Sequence, residues 1–209
     1  MLRLLHRLLD HPRIFEWQQR LCNNYSAIRR HFREYLEVSG KDVLDIGCST
    51  GTCASQVVSM KDNRYTGVDI EPHYIERARK LYPAGRFECM DARALQFAGD
   101  GFDVVMFVGA LHHMDDDIIR DCFTSIRHVL RPTGVVLCAE PVFTPGKFLS
   151  NFLLRNDRGR HIRDEPGYRR LFAGLHVARQ DYFRLSIHRF CSFVLTKAAA
   201  AENPTIRAA

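Results

Sequence analysis

The sequence predicts an α/β fold, with a mostly parallel sheet, helices on both of its faces and a helical cap before the first strand. Three observations lead there. Short apolar runs at residues 43–46, 65–69, 86–91, 102–107 and 135–140 alternate with stretches of helical period, the pattern of repeated strand–helix units. The first run passes directly into a glycine-punctuated turn, Gly47-Cys48-Ser49-Thr50-Gly51, and then into a helix. The first three runs also carry an acid at or near their ends: Asp45, Asp69 and Asp91.

The elements follow in order. Residues 1–10 hold Leu4, Leu5 and Leu8 on one helical face opposite Arg3 and Arg7. Arg7 and Asp10 interrupt the apolar run and no small-residue cleavage site follows, so it does not read as a signal peptide. So short an amphipathic helix is expected to pack on its own domain, with peripheral membrane contact as the alternative. Residues 14–38 form a second helical region, placing Phe15, Gln18, Cys22, Tyr25, Ile28, Phe32 and Tyr35 or Leu36 at steps of three or four. That stripe is expected to be core, and Gly40 is expected to cap the helix.

The glycine turn is a nucleotide-site entrance. Glycine permits a tight turn and lets backbone N–H groups approach a ligand with no Cβ in the way. A dinucleotide fingerprint is incomplete here, because Ser49 and Thr52 stand where its second and third glycines belong. The same residues also match Gly-x-Ser-x-Gly, a serine-hydrolase elbow, but the upstream glycine-rich oxyanion loop is missing, since Gly40 is the sole glycine before Gly47. Asp69 ends the next strand about 20 residues on, the spacing of a carboxylate that grips ribose hydroxyls. Its plainer reading is a helix cap before Glu71-Pro72, and Asp91 before Ala92 has the same alternative.

On these residues, with Leu111-His112-His113 after the fourth strand and Arg131-Pro132-Thr133-Gly134 before the fifth, the chain resembles the class I S-adenosylmethionine (SAM)-dependent methyltransferases of the small-molecule type. The resemblance implies a Rossmann-like sheet of seven strands, one of them antiparallel. It implies that Asp45, Gly47, Ser49 and Gly51 wall the methionine part of the cofactor, with Ser49 where the family usually has glycine. Asp69 would bind the ribose, Ile70 would pack on the adenine, Asp91 and Ala92 would reach its edge, and residues 107–111, including Phe107 and Leu111, would line the sulfonium side. Helices before the first strand often cover the active site in this family, which makes Tyr25 a candidate substrate contact.

Residues 1–197 are expected to form a single domain, comprising a cap at 1–40, a SAM-binding core at 41–140, a substrate-side insertion at 141–174 and a hairpin at 175–197. Residues 198–209 are expected to fray. The insertion exceeds the usual connection in an α/β unit. It packs Arg155, Arg158, Arg160 and Arg163 into nine residues, and guanidinium forks match carboxylate or phosphate. Arg158, Arg160 and Arg163 are therefore candidate substrate contacts, against a solvated loop paired with Asp157, Asp164 and Glu165. Residues 177–185 and 190–196 read as a hairpin joined by 186–189.

Methyl transfer from a sulfonium depends chiefly on holding donor and acceptor in line and away from water. A hydroxyl acceptor must lose a proton, and His112 or His113 offers an imidazole for it; their plainer roles are capping and packing. The expected function is methyl transfer to a small-molecule hydroxyl or carbon, with an anionic acceptor, a lipid or a secondary metabolite as the class. A nucleic-acid methyltransferase would suit the net charge of +6, but no aromatic single-strand platform accompanies it, and Phe107-Val108-Gly109-Ala110 lacks the Asn/Asp-Pro-Pro-Tyr/Phe pattern of many amino-group methylases. A non-catalytic SAM-binding regulator is the other alternative, and a serine hydrolase the last. Seven cysteines without a Cys-x-x-Cys pair point to reduced thiols and a cytoplasmic setting, with no metal site expected.

Overall fold

The computed structural model describes residues 25–97, 101–157 and 159–197. Its seven-stranded sheet contains β1 (Asp42–Ile46), β2 (Arg64–Asp69), β3 (Arg86–Cys89), β4 (Phe102–Val108), β5 (Leu130–Val142), β6 (His176–Leu185) and β7 (His188–Thr196), in the order β3-β2-β1-β4-β5-β7-β6. β1 to β5 pair in parallel, and β7 runs antiparallel to both of its neighbours, as expected for one reversed strand.

Strand period two sorts the apolar residues onto two faces. Val43, Val104, Met106, Val135 and Leu137 pack with helices α1 (Ser26–His31), α3 (Thr52–Val57) and α4 (Pro72–Leu81). Their neighbours Leu44, Val105, Phe107, Val136 and Cys138 pack with α5 (Asp116–Val129) and with Tyr168, Leu171 and Phe172 at and after α7 (Glu165–Arg169). Two further helices are α2 (Arg33–Leu36) and α6 (Phe148–Arg155). Asp115 caps α5, its side chain accepting from the Ile118 N–H at 2.9 Å.

Several boundaries differ from the sequence reading. The helical stripe does not run unbroken to residue 38, because Phe32, at φ −106° and ψ 25°, separates α1 from α2. Gly40 is not the helix cap; at φ 73° it turns the chain into β1, and its N–H donates to the Asp62 carbonyl. β5 begins at Leu130, directly after α5, with a register shift opposite residues 102–104 that absorbs Pro132. The hairpin turn shrinks to Ser186-Ile187, with Ser186 at φ 55°. Residues 1–24 and 198–209, which carry the amphipathic segment, the start of the stripe and the tail, lie outside the described residues.

The ends of β1, β4 and β5 opposite the glycine turn are bound by charge. Arg131 bridges Asp42 at 2.6 Å and Asp103 at 2.5 Å, and Asp103 also accepts from the Asp42 N–H at 2.9 Å. These contacts hold the central strands in register and leave their carboxyl ends for the site.

Candidate functional site

Strand order reverses between β1 and β4, and in open α/β sheets ligands bind beyond the carboxyl ends of the strands at such a switch point. Here that edge is built by the glycine turn after β1 and by residues 109–113 after β4. Gly47 is required twice: it has φ 74°, and a Cβ there would lie 2.8 Å from that of Ala110. Gly51, at φ 75°, lets the turn close onto Phe87 and Tyr82, whose rings would lie 3.0 Å from an added Cβ.

The turn's N–H groups differ from the sequence expectation. Those of Gly47 and Cys48 donate to the Val68 carbonyl, that of Gly51 to Cys48, and that of Ser49 to Asp69 Oδ2 at 2.9 Å. They are spent inside the protein, so the turn meets a ligand by close approach more than by donation. Ser49 takes φ 51°, a left-handed conformation that glycine adopts without penalty, which explains the family's preference at this position. Its buried Oγ has no hydrogen-bond partner among the described residues. An orphaned buried hydroxyl is a group that a ligand's polar atom can satisfy.

Asp69 stands at the end of β2 with Oδ2 held by Ser49 and Oδ1 by the Glu71 N–H at 3.0 Å. Burial raises its carboxyl above the ordinary range, in part against those hydrogen bonds. Ile70, 62% exposed, projects beside it as an apolar platform. Asp45 lies deeper. It is buried and accepts from the Tyr65 hydroxyl at 2.8 Å, and burial pushes it up to about 7, so it supports the turn from beneath and does not present a ligand wall. Asp91 follows its plainer reading: it caps a 3₁₀ turn at Ala92–Ala94, accepting from the Arg93 N–H, and the Arg93 guanidinium grips its carboxylate at 2.6 Å. Ala92 is buried behind it.

After β4 the outcome is mixed. Phe107 and Leu111 are fully buried core residues, Phe107 packing its ring 5.6 Å from that of Phe123, so neither side chain faces a ligand. His112 is also buried. Its Nδ1 lies 2.7 Å from Glu140 Oε2 and its Nε2 3.5 Å from Asp157 Oδ1. Glu140, wholly enclosed, accepts from the Ala110 and Leu111 N–H groups as well, at 3.0 and 2.9 Å. Burial alone would lower the His112 pKa; the carboxylates of Asp157 and Glu140 outweigh it and push the value up to about 9. The two carboxylates thus favour the protonated ring of His112. His113 is exposed, with its ring 4.2 Å from that of His112.

The arginine-rich segment divides. Arg163 is anchored, donating to the carbonyls of Met114 at 2.8 Å and His161 at 2.6 Å and pairing with Asp116 at 2.7 Å, so it braces the loop after β4 and is not presented to a substrate. Arg160 is exposed. Arg158 lies outside the described residues. Tyr25 is buried in the core with Ile28 and Phe32.

Glu140, Asp157 and Gly159 are the parts that the sequence reading missed. A Cβ on Gly159 would lie 1.9 Å from His112 Cδ2, so only glycine lets the 156–161 segment close over the imidazole. The available signal was an acid, Glu140, within an otherwise apolar run. Cys48 and Cys53 flank the turn with their thiols pushed up chiefly by burial, so neither is a nucleophile at neutral pH. A cavity of about 450 Å³ between α2 and the end of α3 is lined by Glu37, Ser55 and Asp62, at the opposite end of β2 from Asp69, and takes no part in the site.

The glycine turn, the fixed acid at the end of β2 and the seven-stranded sheet with one reversed strand define the class I SAM-dependent methyltransferases. Comparison with known proteins agrees. Residues 43–134 match the model of the methyltransferase domain family. An O-methyltransferase of Aspergillus nomiae is 39% identical over 109 residues, covering 49% of this chain and 48% of its own length. The 2-methyl-6-phytyl-1,4-hydroquinone methyltransferase of Synechocystis is 35% identical over 106 residues, covering 48% of this chain and 32% of its own. Matches to these curated relatives thus span half of their length or less. In fold, a TehB-like SAM-dependent methyltransferase from Corynebacterium glutamicum superposes with a TM-score of 0.65 at 17% identity, over 90% of this chain and 98% of that one. Residues 43–134 thus carry a methyltransferase domain, on a fold shared with SAM-dependent methyltransferases. The residues present are of a kind that SAM would need: a held carboxylate at Asp69, an apolar platform at Ile70 and an unsatisfied hydroxyl at Ser49.

Proposed function

We propose that the chain transfers a methyl group from SAM to an oxygen or carbon of a small-molecule acceptor. The observation that carries this reading is the bond between the Ser49 N–H and Asp69 Oδ2, which locks the glycine turn to the ribose-binding acid. SAM, when bound, supplies an electrophilic methyl group on a sulfonium. The protein's part is to orient and to exclude water: Gly47 and Ala110 close the turn against the loop after β4, and the 156–161 segment covers His112. A hydroxyl acceptor is supported by the O-methyltransferase among the relatives, and a lipid-like phenol by the phytyl hydroquinone in the name of the other.

Of the two histidines, His113 is the one we assign to accept the acceptor's proton, because His112 already carries its own at neutral pH. The exposed Arg160 is the candidate contact for an anionic acceptor. Peripheral membrane contact through residues 1–10 falls outside the described residues, and no described helix is long and apolar enough to cross a membrane. Incubating the protein with SAM and a panel of phenolic, carboxylated and prenylated acceptors, and reading products by mass, tests the proposal. A product heavier by one methyl group supports it; turnover of no acceptor, with SAM still bound, would instead favour the regulator.

A further inference from the structure

Helix α6 is built the wrong way round for a helix on a soluble surface. Its inward face carries Ser150, whose hydroxyl pairs with His188 Nδ1 at 2.9 Å, and Leu154. Phe148, Leu149, Phe152 and Leu153 point outward, and Phe148 is 85% exposed. Neighbouring Phe143 and Ile187 add to the same apolar surface. A contiguous exposed patch of this kind marks an interaction site.

Along the helix itself the charge has one sign. From Phe143 to Asn156 there is no acid, while Lys147 and Arg155 bracket the helix. Asp157, the next acid, is turned toward His112. Beside α6 a cavity of about 310 Å³ is lined by Lys147, Arg184 and Arg189 together with Tyr182 and Ile187. The Arg189 guanidinium stacks 3.9 Å above the Tyr182 ring, which fixes its position at the rim. Apolar side chains ringed by cations, next to a cationic recess that opens on the same surface, match the interfacial region of an anionic bilayer: acyl chains for the phenylalanines, a phosphate for the recess.

We infer that α6 and the β6–β7 turn form a docking surface for membranes rich in anionic phospholipid, with Phe148 and Phe152 inserting and Lys147, Arg184 and Arg189 holding a headgroup phosphate. α6 follows β5 at the carboxyl end of the parallel strands, the end that also carries the glycine turn. The inference does not depend on which acceptor is methylated.

The test is co-sedimentation of the full chain with vesicles of phosphatidylcholine alone or of phosphatidylcholine mixed with phosphatidylglycerol. The surface predicts binding at least tenfold tighter to the anionic vesicles, weakened by salt. The F148S/F152S pair should lose that binding at least tenfold and keep the wild-type thermal midpoint, because both side chains are exposed. The K147E/R189E pair should lose the preference for phosphatidylglycerol. Equal binding by wild type and both variants would overturn the assignment. So would failure of the wild type to bind, whether sedimentation equilibrium then shows a dimer that F148S/F152S dissolves, placing a second copy on this face, or a monomer.

Discussion

His112 Nδ1 sits 2.7 Å from the wholly buried carboxylate of Glu140, and this pair joins the loop after β4 to the end of β5. Asp157 closes on the other ring nitrogen and brings the 156–161 segment with it. Three parts of the acceptor side therefore meet on one imidazolium.

Stability should fall with rising pH as that proton is lost. The folded pKa of His112 is about 9 against an ordinary 6.5, so its contribution is fully present below about 6.5 and is gone once pH passes 9. The shift corresponds to at most about 3 kcal/mol. Asp45, raised from 3.8 to about 7, acts with the same sign in a lower window, losing its contribution as pH climbs through 7. Denaturant melts between pH 7 and 9.5 should show a declining wild-type stability that His112→Gln largely flattens. An identical slope in both proteins would remove His112 from the account.

Gly159→Ala should release the segment that covers His112. A methyl group 1.9 Å from the ring carbon cannot be accommodated without moving one of them. The expected cost is about 1–3 kcal/mol, the range for overpacking. With the Asp157 contact broken, the His112 resonance in an NMR titration should move to a lower pKa. An unchanged titration would mean that Asp157 does not set it.

Ser49→Gly should be tolerated or stabilising. A left-handed non-glycine residue costs roughly 1–2 kcal/mol, against the roughly 0.5–1 kcal/mol that glycine loses in the unfolded chain, and the substitution also removes an unsatisfied hydroxyl. A thermal midpoint raised by about 1–4 °C is expected. A clear fall would show that Oγ has a partner in solution.

Arg160 and Arg163 should behave differently. Arg160→Ala is expected to raise the acceptor KM while leaving SAM affinity and the thermal midpoint unchanged, since the side chain is exposed. Arg163→Ala removes contacts to Met114, His161 and Asp116 and should lower the midpoint. Equal kinetic effects without a stability difference would contradict this division.

Local pattern made the sheet legible. The unbroken apolar run Val104-Val105-Met106-Phe107 marks a strand with both faces covered, and glycines next to an acid mark the turn that follows β1. The site was harder to read where side-chain direction decides. Phe107 and Leu111 lie at the right sequence positions, yet strand period and the 3₁₀ turn aim them into the core. Asp91 meets Arg93 two residues on, a local pairing that the sequence spacing to a ligand does not announce. Glu140, Asp157 and Gly159 come together only through the long insertion, and no spacing in the chain announces that His112 will be held from both sides.

The central claim is that Asp69, fixed by Ser49 and Glu71, grips the ribose of SAM at the switch point of the sheet. Isothermal calorimetry with SAM and its demethylated product, on wild type and Asp69→Ala, tests it most directly. Binding by the wild type, weakened in the variant by at least about 1.4 kcal/mol, or tenfold, is the predicted result. No binding by the wild type, or equal affinity in both proteins, would contradict it.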